Sequence, residues 1–240
     1  ARPAVMGVLN VTPDSFSDGG DRFDAARALD DGLAMAAAGA AILDVGGEST
    51  RPGSDPVAPE EELRRVLPLV ECLAKQGLTV SIDTRRPEVM RQAVAAGARI
   101  VNDVTALTGA PESLATAATL GVPVVLMHMQ GEPRTMQANP TYDDVALDVF
   151  DALQARVQAC LDAGIPRARI AVDPGIGFGK TVAHNLALLD RLALFQGLGC
   201  PVLLGVSRKS FIGRLDPSGS GAAPKGRVPG SLAAALAGVQ

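Results

Sequence analysis

The chain has no tryptophan, one tyrosine and six phenylalanines, so aromatic residues make up only 3% of its 240 residues. Platforms on which successive bases of a single strand stack are therefore not expected. Only two histidines occur, His128 and His184, which excludes a multi-histidine metal site. The cysteines, Cys72, Cys160 and Cys200, are odd in number and far apart, so neither a disulfide framework nor a zinc-finger spacing can be built from them. They read as reduced, buried thiols of a cytoplasmic protein. Neither sign of charge dominates: 22 Lys and Arg stand against 26 Asp and Glu, for a net charge of −4. That balance argues against nucleic acid or an anionic membrane surface as the main partner. Long apolar runs are missing as well. The longest uncharged stretch, Ser113 to Gly131, is broken by Gly121 and Pro123 and reads as a helix end followed by a strand. No secretory signal is expected, since Met6 to Asn10 runs directly into Thr12-Pro13-Asp14.

What is present is enough apolar residue, 47%, to bury one sizeable core, and 26 glycines that suit close packing of helices on strands. No repeat or linker divides the chain, so residues 1–240 are expected to form one domain. Short runs rich in Val, Ile, Leu and Ala recur at Val5–Leu9, Ala41–Val45, Leu78–Ile82, Arg99–Val101, Val122–Met127, Arg169–Val172 and Pro201–Val206. Continuous apolar strands of this kind belong to parallel sheets covered on both faces.

Helical segments lie between them. Pro59-Glu60-Glu61-Glu62 is a helix start, with proline in the first turn and acids at the positive end of the dipole. Leu63, Val66, Leu67, Val70 and Leu73 continue it at helical spacing, Lys75 and Gly77 close it, and Pro68 is expected to kink or shorten it. Tyr142 to Ala163 carries a second apolar stripe that Gly164 and Pro166 stop. Shorter helices are expected at Pro87–Ala95, Pro111–Leu120, Val182–Leu192 and Pro229–Val239. The alternation is α/β, and two architectures fit it, an open doubly wound sheet and a (β/α)₈ barrel. If it is a barrel, the eighth strand is missing from the sequence ending at Gln240.

Polar residues follow the strands. Asn10, Asp44, Asp83, Asn102-Asp103, His128, Asp173 and Ser207-Arg208-Lys209 each stand at the C-terminal end of one run. In a parallel barrel these ends share one rim, where ligands bind. Each has a local reading too: Asp83-Thr84 before Pro87 as a helix cap, His128 as a strand-end hydrogen-bonding group, His184 as a surface residue at a helix start. The acids Asp143, Asp144, Asp148 and Asp151 read as a solvated helix face. Gly175 to Thr181 falls one residue short of a phosphate loop and reads as a glycine-rich turn for close backbone approach, with Lys180 on the surface. A desolvated strand-end lysine at Lys209 is compatible with Schiff-base chemistry as a minor alternative.

Six blocks together resemble one family. Met6-Gly7-Val8-Leu9-Asn10-Val11-Thr12-Pro13-Asp14-Ser15-Phe16-Ser17-Asp18-Gly19-Gly20 and Asp44-Val45-Gly46-Gly47-Glu48-Ser49-Thr50-Arg51-Pro52-Gly53 are similar to the two signatures of the dihydropteroate synthases. Ser81-Ile82-Asp83-Thr84, Val101-Asn102-Asp103, the stretch from Asp173 to Lys180, and Gly205-Val206-Ser207-Arg208-Lys209-Ser210 follow in register. The resemblance spans essentially the whole chain.

The resemblance implies a (β/α)₈ barrel, usually homodimeric. Its reaction joins 6-hydroxymethyl-7,8-dihydropterin diphosphate to p-aminobenzoate, with Mg²⁺, in folate biosynthesis, and sulfonamides compete for the aminobenzoate. By the same resemblance Asp83, Asn102 and Asp173 read the pterin, Lys209 meets its other edge, and Met127, Phe178 and Gly205 wall the pocket. Carboxylates suit the paired N–H donors of a pterin. Arg51 and the backbone near Thr50 hold the diphosphate, while Asn10 offers an oxygen to Mg²⁺. The aminobenzoate carboxylate is expected near the Ser207 N–H at a helix start, with Thr50, Phe16 and Pro52 around its ring and amine. Lys209, Arg51 and Asp83 are the catalytic candidates, and Thr12–Gly20 and Ser49–Asp55 are expected to be mobile loops. The family's last strand carries an Arg-x-His motif that this sequence does not reach, and a chain truly ending at Gln240 is expected to fold poorly and lose activity. The alternatives are a methyltransferase pterin domain and a non-catalytic pterin-binding barrel. The Thr-Pro-Asp-Ser-Phe and Glu-Ser-Thr-Arg-Pro-Gly loops argue against the first, since they suit a diphosphate and an aminobenzoate.

Overall fold

The computed structural model describes residues 3–11, 21–49, 54, 56–216 and 223–239. Six parallel strands form one sheet: β1 (Met6–Asn10), β2 (Ile42–Gly46), β3 (Val80–Asp83), β4 (Ile100–Asp103), β5 (Val124–Met127) and β6 (Ile170–Asp173). The helices are α1 (Asp21–Ala37), α2 (Pro59–Lys75), α3 (Pro87–Ala95), α4 (Ser113–Leu120), α5 (Val145–Asp162), α6 (Val182–Asp190), α7 (Ser210–Leu215) and α8 (Val228–Ala237).

Strand order decides between the two architectures. The strands lie in the order β1-β2-β3-β4-β5-β6, with no reversal. A doubly wound sheet needs a reversal to place helices on both faces. Right-handed crossovers between strands that always advance the same way put every helix on one side, and the sheet curls around its other face. The fold is therefore of the (β/α)₈ barrel class.

Residue parity follows from this. Leu43, Val45, Val80, Ile82, Val101, Val124, Leu126, Ile170 and Val172 are buried in the core between the sheet and its helices. Each such side chain contributes roughly 1.5–3 kcal/mol. The residues between them face the inside of the curl, and there the register aligns Asn10 with Gly46, Gly46 with Asp83, and Asp83 with Asn102.

Four expectations need correction. Pro201–Val206 is not a seventh strand: it runs beside β6 with a single parallel bridge, Val172 to Val202. Two backbone bonds hold it, Val172 N–H to the Pro201 carbonyl (2.9 Å) and Leu203 N–H to the Val172 carbonyl (2.8 Å). Among the described residues no further bridge extends this contact into a ladder. Pro68 does not shorten its helix, since α2 runs through it from Pro59 to Lys75. The proline lies on the exposed side, where water can satisfy the freed carbonyl, while Leu63, Val66, Leu69, Val70 and Leu73 stay buried opposite. Cys72 is exposed on that helix; Cys160 and Cys200 are buried. Asp144 is more than a solvated acid: it caps α5, accepting from Ala146 N–H (3.0 Å) and Leu147 N–H (3.1 Å), and pairs with Arg191.

Candidate active site

The inner-face residues at the strand ends form a polar floor. Asn10 Oδ1 and Asp83 Oδ2 lie on either side of Gly46, at 3.7 and 3.5 Å from where a Cβ of that glycine would stand. The missing side chain keeps the space between them open. Asn102 lies next to Asp83 in register, and its Nδ2 donates to Asp44 Oδ2 at 2.9 Å. Burial pushes the Asp83 carboxyl well above the usual range, and the nearby carboxylates of Asp44, Asp103, Glu62 and Glu48 push it further. Burial also raises the Asp44 carboxyl, against the hydrogen bond from Asn102.

Asp103 has the opposite parity and does a different job. Its Oδ1 accepts from Thr105 N–H and hydroxyl, both at 2.7 Å, and its Oδ2 from Leu107 N–H at 3.1 Å. It folds the turn in which Ala106 and Leu107 have positive φ. Asn102 is thus the member of the Asn102-Asp103 pair that faces the inside of the curl. The Asp83-Thr84 cap reading also resolves: Arg86 holds the N-cap position of α3 without a side-chain cap bond, and Thr84 Oγ1 accepts from its N–H at 3.2 Å, leaving Asp83 to the interior.

Across the mouth, Asp173 ends β6 beside Met127, its register partner. Its Oδ1 accepts from Gly175 N–H at 2.7 Å, and its Oδ2 lies 3.8 Å from where a Cβ of Gly205 would stand. Burial raises the Asp173 carboxyl; the Gly175 N–H and the charges of Lys209 and Lys180 oppose this. Lys209 Nζ donates to the Ile176 carbonyl at 2.5 Å and sits 4.1 Å from the centre of the Phe178 ring. Burial brings its pKa down to about 8, against the pull of Asp173. Asp173, Lys209, Phe178, Met127 and Gly205 thus meet as the sequence reading expects. Ser207 stands in a turn before α7, whose N-cap is Lys209, so it is not at the helix start: Arg208 adopts a positive φ of 57° and delays the helix to Ser210.

Lys180 is the main residue the sequence reading missed. It is 3% exposed, not on the surface. The turn from Gly175 to Gly179 folds over the end of β5, and both glycines have positive φ. A Cβ on either would overlap a backbone carbonyl, that of His128 for Gly175 and of Gln130 for Gly179. The close approach carries Lys180 inward. Its Nζ donates to the Phe178 carbonyl at 2.9 Å and lies 3.0 Å from His128 Nδ1. Burial holds Lys180 down at about 7, and burial together with that lysine holds His128 at about 3. A neutral His128 accepts from Lys180, so it ties two strand ends together, as its strand-end reading implied. His184 caps α6 reciprocally with Thr181.

A second network secures the segment after β2. Arg86 donates to Glu48 Oε2 at 2.6 Å, to Glu62 and to the Val57 carbonyl, while Arg85 pairs with Glu48 at 2.9 Å and Arg65 with the Gly47 carbonyl at 3.0 Å. One guanidinium therefore joins both ends of the stretch that contains Thr50, Arg51 and Pro52. These three residues, and Phe16, lie outside the described residues.

No group of three or more His, Cys, Asp or Glu that could cage a metal occurs among the described residues. Asn10 does present a neutral hard oxygen at the rim. That donor set fits Mg²⁺ held mainly by phosphate and water, the usual arrangement for this ion, and not an all-protein cage.

The sequence profile described as "Pterin binding enzyme" matches residues 6–240. The dihydropteroate synthase of Escherichia coli is 49% identical over 237 residues, spanning 98% of this chain and 82% of that protein. The structure of Xanthomonas albilineans dihydropteroate synthase with 4-aminobenzoic acid superposes with a TM-score of 0.92 at 51% identity, covering 100% of this chain and 84% of the other. The Yersinia pestis dihydropteroate synthase in complex with a sulfonamide drug has a TM-score of 0.92 at 45% identity, covering 99% and 85%. The chain belongs to the dihydropteroate synthases of the pterin-binding enzyme family.

Proposed function

We propose that the chain condenses 6-hydroxymethyl-7,8-dihydropterin diphosphate with p-aminobenzoate, giving 7,8-dihydropteroate and diphosphate. The single observation that carries this is the convergence of Asp83, Asn102, Asp173 and Lys209 on one barrel mouth, in a chain 49% identical to a synthase of that name.

A dihydropterin presents several N–H donors along one edge, its 2-amino group among them. Asp83 and Asp173 supply acceptors, in a site dry enough for each hydrogen bond to count. Lys209 supplies the complementary donor, and its ammonium is held beside Asp173 and over the Phe178 ring. Met127, Phe178 and Gly205 form the walls.

In the chemical step the bond between the pterin methylene and the diphosphate oxygen breaks, and the electron pair leaves with diphosphate. The cationic methylene is stabilised by the electron-rich ring. The amine of p-aminobenzoate attacks it, forms the new C–N bond and loses a proton to solvent. No protein nucleophile is required, which fits a chain with only two histidines, one of them neutral. Catalysis is positioning and charge stabilisation. Asn10, with Arg51 and Thr50, would hold the diphosphate and a Mg²⁺ ion. When bound, that ion supplies charge neutralisation of the leaving group. Ser207, Thr50, Pro52 and Phe16 are assigned to the p-aminobenzoate side. A sulfonamide is expected to compete there, as supported by the Yersinia pestis complex.

We infer a cytoplasmic homodimer as the working form. The free thiols support the compartment, and no helix among the described residues is long and apolar enough to cross a membrane. Exposed Val228, Leu232 and Leu236 along α8 support self-association.

The test is to incubate the protein with both substrates and Mg²⁺ and follow dihydropteroate and diphosphate. Equal amounts of both products, lost when Mg²⁺ is chelated and reduced at least about 100-fold by Asn10→Ala, support the assignment. Pterin binding without product in any condition contradicts it.

A further inference from the structure

Asp44 lies one layer below the ligand-facing residues, two positions before Gly46 on the inner face of β2. It is 4% exposed, too deep to be part of the mouth. Its one well-formed side-chain hydrogen bond reaches over β3 to β4, where Oδ2 accepts from Asn102 Nδ2 at 2.9 Å. Ser81 is its register neighbour on β3, and Asp44 Oδ1 and Ser81 Oγ are both buried without a hydrogen-bond partner among the described residues. An unpartnered buried oxygen is costly, and the fold gains little stability from this carboxylate.

What it does is choose an orientation. The two ends of an asparagine amide have nearly the same shape and opposite hydrogen-bonding character. A carboxylate only accepts, so Asn102 must turn Nδ2 downward to Asp44. Its Oδ1, which has no partner among the described residues, is left as an acceptor beside Asp83.

We propose that Asp44 is a positioning residue that locks the Asn102 amide with its oxygen available to the pterin, making the floor a row of acceptors that matches a row of N–H donors. It acts through Asn102 and touches neither substrate. The inference rests on the pterin reading of the site. Without Asp44 the amide samples both orientations, and apparent affinity falls by the competent fraction together with the mismatch of the other orientation.

The experiment measures calorimetric affinity for 6-hydroxymethylpterin in the wild-type chain, Asp44→Asn, Asn102→Ala and the double variant, with thermal unfolding and steady-state kinetics of each. Asp44→Asn keeps the shape and allows the amide to turn. It is expected to weaken pterin binding about tenfold or more and to raise the KM for pterin diphosphate, with kcat at saturation changed less than about threefold. Its melting temperature should be equal to or above wild type, which a purely structural role does not produce. In the Asn102→Ala background, Asp44→Asn should add nothing. The inference is overturned if Asp44→Asn leaves affinity within about twofold of wild type, or weakens it equally with and without Asn102. If Asp44→Asn does not fold, Asp44→Ala is read by the same criteria. A wild-type chain that does not bind the pterin overturns the underlying site reading instead.

Discussion

Gly175 rests directly on the backbone of His128: a methyl group there would overlap the His128 carbonyl oxygen, and φ at Gly175 is 69°. This contact lays the β6 turn over the end of β5, and it places Phe178, Lys180 and Asp173 together. Gly175→Ala is expected to cost about 3 kcal/mol or more, since both the close approach and the backbone angle oppose it. Gly164→Ala, at positive φ with nothing within 4 Å, should cost only about 1 kcal/mol. Urea denaturation of both variants checks this, and equal losses would refute the contact as the cause.

Lys180 makes stability depend on pH in a definite direction. Its pKa is about 7 in the folded chain, below its ordinary value of 10.5, because it is buried. Between those values the unfolded chain binds more protons, so this residue's contribution rises with pH through that window and is flat below it. The limiting slope is about 1.4 kcal/mol per pH unit. Relative to Lys180→Met, the wild-type chain should therefore gain about 2 kcal/mol between pH 7 and 9. A difference that stays constant across that range, measured by denaturant titration, speaks against a desolvated Lys180.

Arg86 is expected to matter mainly through Glu62, which is 1% exposed and has one oxygen already without a partner. Burial raises the Glu62 carboxyl in spite of Arg86. Arg86→Met should destabilise the protein by about 3 kcal/mol by stranding that carboxyl. Adding Glu62→Leu should restore most of the loss, because removing both charges removes the desolvation cost. A double variant no more stable than Arg86→Met would show that the arginine acts elsewhere.

Much of this architecture is written in local pattern. β1 to β6 coincide with apolar runs, α3 spans Pro87–Ala95 as its proline start implies, Asp83 and Asn102 stand side by side at adjacent strand ends, and Asp173 and Lys209 lie close enough for their charges to act on each other. What local pattern misses depends on tertiary contact. Lys180 follows three glycines and looks solvated, yet the turn they permit carries it beneath Tyr142 and against His128. Pro201–Val206 is as apolar as a strand, yet its pairing with β6 stops at the single bridge from Val172 to Val202. Asp44 reads as one more strand-end acid, and its place two residues before Gly46, with its bond to Asn102 on a non-adjacent strand, separates it from the inward-facing residues at the strand ends. Helix α1, rich in alanine, offers little contrast between its faces for a periodicity to register.

The most direct measurement is calorimetric titration of 6-hydroxymethyl-7,8-dihydropterin diphosphate into the wild-type chain and Asp173→Asn, with Mg²⁺ present and p-aminobenzoate absent. Asp173→Asn exchanges an acceptor-only group for one that also donates, while Gly175 N–H can still bond to its oxygen. Saturable binding at one site per chain is expected in wild type, with an affinity at least about 100-fold weaker in the variant, the loss of one or two charge-assisted hydrogen bonds. Equal affinities in the two proteins, or no binding by the wild type, would contradict the claim that this strand-end rim reads a pterin.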